Sequence, residues 1–231
     1  MHFHLPKPLH GWREFAGEVG IIVVGVLIAL GAEQVVEGIH WRHTIANERK
    51  ALNADVADMW SAESARVVIQ RCVDSRLGEL ALVFARHQQG KPLGIIGPIG
   101  RPSVWTGSQS ALQMATADGS LSHMPLDDKA AYFAVAESYD AFVPVALEER
   151  ASWRTLELLD EPEALDETDW RDLRRAFRDA VDTNRTLKGN LAFDRPDQWL
   201  TAFAKFGPLP QNKGALLIPW VRDLCRPAVK R

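Results

Sequence analysis

The chain has 231 residues, 25% of them charged, and a formal net charge of −3. That balance excludes nucleic-acid binding by electrostatics and a disordered acidic tail, and the about 190 residues left beyond a tail and an anchor suffice for one domain with its own core. The two cysteines, Cys72 and Cys225, form no CxxC pair, so no zinc motif is present.

Residues 1–13 open with a proline-broken stretch and are expected to form a short cytoplasmic tail. His2, His4 and His10 have no carboxylate or cysteine nearby to complete a ligand set, so no metal is expected there. Residues 14–40 are expected to be a transmembrane anchor. Between Glu18 and Glu33 lie fourteen residues, Val19 to Ala32, with no polar side chain. Alone they cover only about 21 Å, short of a bilayer core of about 30 Å. The flanks supply the rest: Trp12-Arg13 and Trp41-Arg42 lie about 43 Å apart along a continuous helix and form an aromatic and basic rim at each membrane interface. Glu18 sits about a turn inside and must snorkel, be protonated or find a partner. A cleaved signal peptide is the rival reading, with Ala29-Leu30-Gly31 as its cleavage site. Glu18 at the start of the apolar run and the helix-favouring continuation to Glu37 speak against it. Lysine and arginine counts lean only slightly towards a cytoplasmic N-terminus and an exported domain.

At 100° per residue Glu18, Gly25, Ala29 and Ala32 share a sector of about 60°. Small residues let helices approach closely, and a carboxyl is least costly at such a contact. This face is therefore the expected site of self-association or of docking on another membrane protein, the alternative being a snorkelling Glu18 beside ordinary glycines.

Residues 41–231 are expected to form a helical domain. Leu52, Val56 and Met59, then Ile69, Val73, Leu77, Leu80 and Phe84, recur at steps of three and four. They mark one long helix, or two helices bent near Cys72 or Gly78, a rod long enough to carry a domain away from the membrane. His40 and His43 are three apart but lack a third ligand, and fit the membrane rim instead. If the domain is exported, a Cys72–Cys225 disulfide is one outcome and two buried free thiols the other.

The stretch 89–104, rich in Gly and Pro, is the clearest loop. It lacks the Gly-Lys-Ser/Thr end of a phosphate loop, and Ile95, Ile96 and Ile99 are expected to dock it on the bundle. A short helix is expected from about Trp105 to Ala117, ending at Asp118-Gly119. The next starts near Leu126 with Ala130, Ala131, Phe133, Ala134, Ala141 and Phe142 on its inner side, kinked or broken by Pro144 near Phe142 and resuming through Trp153 and Leu159. Thr168 is expected to cap an amphipathic helix with Trp170, Leu173, Phe177, Ala180, Val181, Asn184 and Leu187 on one face. Asp194-Arg-Pro196 is expected to start a helix burying Trp199, Phe203 and Phe206, and a last short helix spans Pro219 to Cys225. No run alternates as a strand would. The expected architecture is all-α: an N-terminal transmembrane helix continuing into a long helix, then a bundle.

Two stretches carry a family resemblance. Gly17 to Leu30 with Glu33-Gln34, and Ser110 to Leu126 followed by Tyr132 and Tyr139, resemble segments of a large group of bacterial proteins with a single N-terminal membrane helix and a helical exported domain. The resemblance covers roughly the first 145 residues. It implies a short cytoplasmic N-terminus, a single helix and an exported helical bundle. With the apolar run, the expected location is the bacterial inner membrane, single-pass with a periplasmic C-terminal domain, and the expected partner is the lipid bilayer. The resemblance implies no activity and no catalytic residues.

Chemistry-bearing clusters are sparse. Ser122-His123 near Asp127 and Asp128 is the nearest to a nucleophile grouping, but no Gly-x-Ser-x-Gly elbow surrounds it and a helix-start turn collects the same residue types. Asp127-Asp128 and Glu148-Glu149 point to different sides of a helix. No dinucleotide fingerprint or HExxH occurs, and no cofactor is expected. The leading reading is a membrane-tethered interaction or sensory module. The alternatives are a tethered hydrolase around His123 and an accessory subunit acting through its anchor helix.

Overall fold

The computed structural model describes residues 11–190, 203, 205–207, 209 and 211–230, apart from the side chains of Glu14 and Asn190. His2, His4, His10, Lys7, Trp199 and the expected helix start at Asp194 lie outside the described residues. The architecture is all-α as expected. In chain order the α-helices are α1 (Trp12–Val68), α2 (Gln70–Gln88), α3 (Ser110–Ala117), α4 (Leu126–Leu156), α5 (Glu167–Asn190) and α6 (Pro219–Leu224). Among the described residues the only β pairing is an isolated antiparallel bridge between Ile95 and Val229. The chain divides into two compact units between Asn47 and Glu48.

The first unit contains the N-terminal part of α1. Its apolar side chains face outward: Ile21, Ile22, Leu27 and Ile28 are 76%, 65%, 62% and 67% exposed. A helix this apolar and this exposed finds no protein partner among the described residues to take its surface out of water.

The second unit is built on the stripe of alternating three- and four-residue steps. Leu52, Val56, Met59 and Ala65 of α1 and Val73, Leu80 and Val83 of α2 are buried. This part of the chain is therefore the centre of the bundle, which corrects the expectation of a free rod. The helix bends at Ile69, three residues before Cys72, where the backbone turns to φ −94° and ψ 1°. The Ile69 carbonyl still accepts from the N–H groups of both Cys72 and Val73, so the bend leaves no orphan there. Around this axis pack Trp153, Leu156 and Leu159 from α4 and its end, Trp170, Leu173 and Ala180 from α5, and Ile99, Val221, Leu224 and Val229 from the loop and C-terminal segment.

Four local expectations need correcting. First, α3 starts at Ser110, not Trp105. Its first turn is fixed by a distant carboxylate: Asp55 of α1 accepts from the N–H groups of Ala111 and Leu112 at 2.7 and 3.2 Å. Just before it, Gly107 lies against α1 so closely that a Cβ would stand 2.7 Å from the Met59 nitrogen. Second, of the kink or break expected at Pro144 the break does not occur, and α4 is one helix through it. Third, its buried face is Tyr132, Val135, Ala136, Tyr139, Phe142 and Ala146, while Ala130, Phe133, Ala134 and Ala141 face out and Ala131 is half-buried. The helix is apolar over most of its circumference, and the face chosen is the one whose two tyrosine hydroxyls find partners: Tyr132 donates to Asn53 at 2.8 Å, and Tyr139 accepts from the Gly107 N–H at 2.5 Å. Fourth, Asp166 rather than Thr168 caps α5. Its Oδ1 accepts from the N–H groups of Thr168 and Asp169, and Asp169 reciprocates by accepting from the Asp166 N–H. Those backbone donors hold the Asp166 carboxyl below its ordinary pKa.

The expected inner face of α5 is the observed one, with Trp170, Leu173, Ala180, Asn184 and Leu187 buried and Phe177 and Val181 half-buried. Phe203 is buried with its ring 4.9 Å from Trp60, and Phe206 packs on Tyr132 at 5.0 Å. In the loop Ile99 is buried and Ile95 half-buried, but Ile96 faces solvent.

Candidate functional site

In the N-terminal part of α1, the unbroken helix keeps Glu18, Gly25, Ala29 and Ala32 in one sector, and all four are exposed. A Cβ added at Gly25 would meet no described atom within 4 Å. At one end Trp12 and Arg13 are exposed; at the other Trp41 is half-buried and donates its indole N–H to Glu37 at 3.3 Å, next to exposed Arg42. His40 packs edge-on against Trp41 at 5.7 Å. Among the described residues no group of three metal-ligating side chains assembles, there or elsewhere.

Two buried arginines organise the second unit, and neither was singled out from sequence. Arg66 of α1 is 2% exposed and reaches α4, α2 and α5 at once. It donates to both oxygens of Glu149 at 2.9 Å, to Gln70 at 2.7 Å and to the Asn184 carbonyl at 2.8 Å. Gln70 and Asn184 each donate on to Asp74 at 2.9 Å. Burial pushes the Asp74 carboxyl up, but Asn184, Gln70 and the Lys188 ammonium outweigh it and hold its pKa below the ordinary value.

Arg76, 1% exposed, binds backbone instead. It donates to the carbonyls of Pro98 and Ile99 in the loop at 2.8 and 2.5 Å, and to those of Asp223, Leu224 and Arg226 in the C-terminal segment. Its Nε lies 3.1 Å from Glu79, an ion pair by distance without hydrogen-bond alignment. Glu79 in turn accepts from the Ala228 N–H at 3.1 Å. Burial lowers the Arg76 pKa, against the pull of Glu79, Asp160 and Asp223. One turn earlier on α2, Cys72 is disulfide-bonded to Cys225. The C-terminal segment is thus held on α2 by a covalent bond and by an arginine within the same two turns.

The signal for both arginines was in the sequence. Met59, Ala62, Arg66, Ile69, Val73, Arg76 and Leu80 continue one stripe, and a charged residue standing where the stripe demands an apolar one marks a buried, partnered charge. Glu149 occupies the same kind of place between Ala146 and Trp153 on α4.

At the nucleophile-like turn Ser122 and His123 are exposed. The Asp128 carboxylate is taken by Arg49 at 2.6 Å and Lys205 at 2.8 Å, which commits it to cations rather than to orienting an imidazole. Asp127 and Glu148 are exposed while Glu149 is buried on Arg66, so neither acidic pair converges.

One open cleft of about 240 Å³ carries a different kind of lining, with Arg101, Trp105, Arg150, Ile218 and Trp220 around it. Arg101 stacks over the Trp220 ring at 4.8 Å and pairs with Glu157 at 2.8 Å. No family model, curated protein or solved structure matches the chain. Function therefore rests on the residues themselves. Among the described residues their arrangement offers an exposed apolar helix, a buried charged network and a cleft, but no assembled nucleophile, base and orienter.

Proposed function

We propose that the protein is a single-pass, membrane-anchored interaction or sensory module of the bacterial inner membrane, with its C-terminal domain in the periplasm. One helix near the N-terminus is long and apolar enough to cross a membrane, and none of its apolar window is buried. That exposure carries the reading. A core helix of similar composition would have its apolar surface covered, whereas this one presents it on every side, as a helix solvated by lipid does. The Cys72–Cys225 bond supports an oxidising compartment for the domain. The absence of a converging catalytic set among the described residues favours binding over turnover.

Expression of the full chain followed by alkaline extraction tests the anchor: the protein stays in the membrane pellet at full length. Protease added to intact spheroplasts tests the orientation, since a periplasmic domain is digested and a cytoplasmic one protected. Recovery in the soluble fraction, or release of a chain shortened at Ala29-Leu30-Gly31, overturns the anchor.

A second reading is favoured by the outward sector of Glu18, Gly25, Ala29 and Ala32. It makes the anchor the working part, packing on a second copy or on another membrane protein. Glu18→Leu and Gly25→Leu then lower the oligomeric state in detergent and in a membrane two-hybrid assay, and unchanged association rules that reading out.

A further inference from the structure

We infer that the cleft between the loop end and the C-terminal segment binds a small monocarboxylate with a flat apolar body. The inference gives a ligand to the sensory role proposed above and rests on that reading only for its purpose. Three observations carry it. Arg150 lines the cleft from α4, half-buried, and forms no ion pair or hydrogen bond with any described residue. The other arginine of the cleft is spent: Arg101 pairs with Glu157 and stacks over Trp220. A guanidinium with no acceptor among the described residues, at the edge of apolar walls, offers a planar carboxylate two parallel N–H···O bonds.

The second observation is the walls. Trp105 and Trp220, 37% and 40% exposed, line this cleft together with half-buried Ile218. The Trp105 indole N–H is already used on Ser103 at 3.2 Å, so the ring offers its face rather than a donor. Large aromatic faces beside one charged donor are the usual composition of a ligand site, apolar body first and one polar anchor for orientation.

The third is charge and size. Glu157 neutralises Arg101, which leaves one uncompensated positive charge in the cleft. A monoanion balances it, while a phosphate dianion brings one charge too many next to Glu157. The cleft, about 240 Å³, lies below the usual range for ligand sites, so it takes nothing larger than an aromatic or branched acyl acid or the last residue of a peptide.

Isothermal titration calorimetry on the full chain in detergent tests this with hippurate, its neutral amide, and a tetrapeptide ending in phenylalanine as free acid and as amide. Binding of either acid, with its amide weaker by about tenfold or more, is the expected result, and which acid binds tells a free metabolite-like acid from a peptide end. Arg150→Gln removes the charge at a residue with no structural partner and abolishes the acid preference, while Arg150→Lys retains part of it. Trp220→Leu weakens acid and amide together. Amides binding as well as acids, an Arg150→Gln chain that keeps the preference, or no heat with any probe up to about 10 mM each overturn the inference. Binding in detergent is read separately from the alkaline-extraction result, so the anchor can stand where the cleft fails, and the reverse.

Discussion

Arg66 of α1 and Glu149 of α4 meet fork to fork, Nε on Oε2 and Nη2 on Oε1, both at 2.9 Å, with 2% and 1% of the two side chains exposed. Buried this deeply, the pair is worth little over a well-packed apolar pair, because desolvation of both ions offsets most of their attraction. Breaking one side is different, since it strands the other charge. Glu149→Leu is expected to cost about 3–5 kcal/mol of unfolding free energy in urea denaturation, and Glu149→Leu with Arg66→Met distinctly less. A double variant as unstable as the single one would mean that Gln70 and Asn184, which also depend on Arg66, matter more than the ion pair.

The disulfide and Arg76 act on the same segment by different means. Cys72 and Cys225 close a loop with a sequence separation of 153, for which the chain-entropy model gives about 5 kcal/mol of stabilisation through the unfolded state. Reduction is expected to lower the unfolding free energy by an amount approaching that figure without dissolving the fold, because Arg76 still holds five carbonyls. Arg76→Met in the reduced chain is then expected to free the C-terminal segment selectively. Amide exchange checks this: residues 94–101 and 219–229 lose protection before α4 and α5 do.

Acid has two opposing effects. Asp74 has a lowered pKa in the folded chain, so its contribution to stability is intact above the ordinary aspartate value and is lost as pH falls through the lowered one. Asp160 is the reverse. Burial raises its carboxyl, against the Ile99 N–H and Arg76, so the ionised form opposes folding at neutral pH and that cost disappears as pH falls through the raised value. Asp74→Asn should therefore flatten the acid limb of stability against pH. Asp160→Asn, which keeps an oxygen for the Ile99 N–H, should raise stability at pH 7 and steepen the acid limb. Urea midpoints between about pH 3 and 7 read both effects, and equal shifts in the same direction would contradict the assignment.

How far the fold was legible depended on how many faces of a helix are apolar. α5 has one: Trp170, Leu173, Ala180 and Leu187 against Arg171, Arg175 and Asp179, and its buried face follows from spacing alone. α4 has two, and hydrophobicity could not choose between Phe133 and Tyr132. The choice was made by hydrogen bonds to Asn53 and Gly107, residues remote in sequence. The start of α3 was illegible for the same reason, because its capping carboxylate, Asp55, lies on another helix. In the candidate cleft, Trp105, Arg150 and Trp220 come from three segments with no shared motif, so only folding brings them together. The apolar N-terminal part of α1 needed no tertiary information, since a helix long and apolar enough to cross a membrane is legible from length and composition.

Gly100 gives the sharpest test of how the loop meets α6. Its φ is +63°, which side chains with a Cβ rarely adopt, and a Cβ there would lie 2.4 Å from the Leu224 nitrogen and 2.5 Å from the Trp220 carbonyl. Both obstacles are backbone, so no rotamer change relieves them. Gly100→Ala is expected to lose the left-handed turn and push the loop off α6. That also breaks the Arg101 N–H bond to Trp220 and moves the Arg76 carbonyl cage, for a loss of about 2 kcal/mol or more. Gly90, also at positive φ but with nothing within 4 Å of its missing Cβ, supplies the comparison: Gly90→Ala carries the conformational strain without the collision. If thermal melts place the two variants at the same midpoint, the contact of the loop with α6 is looser than these distances require.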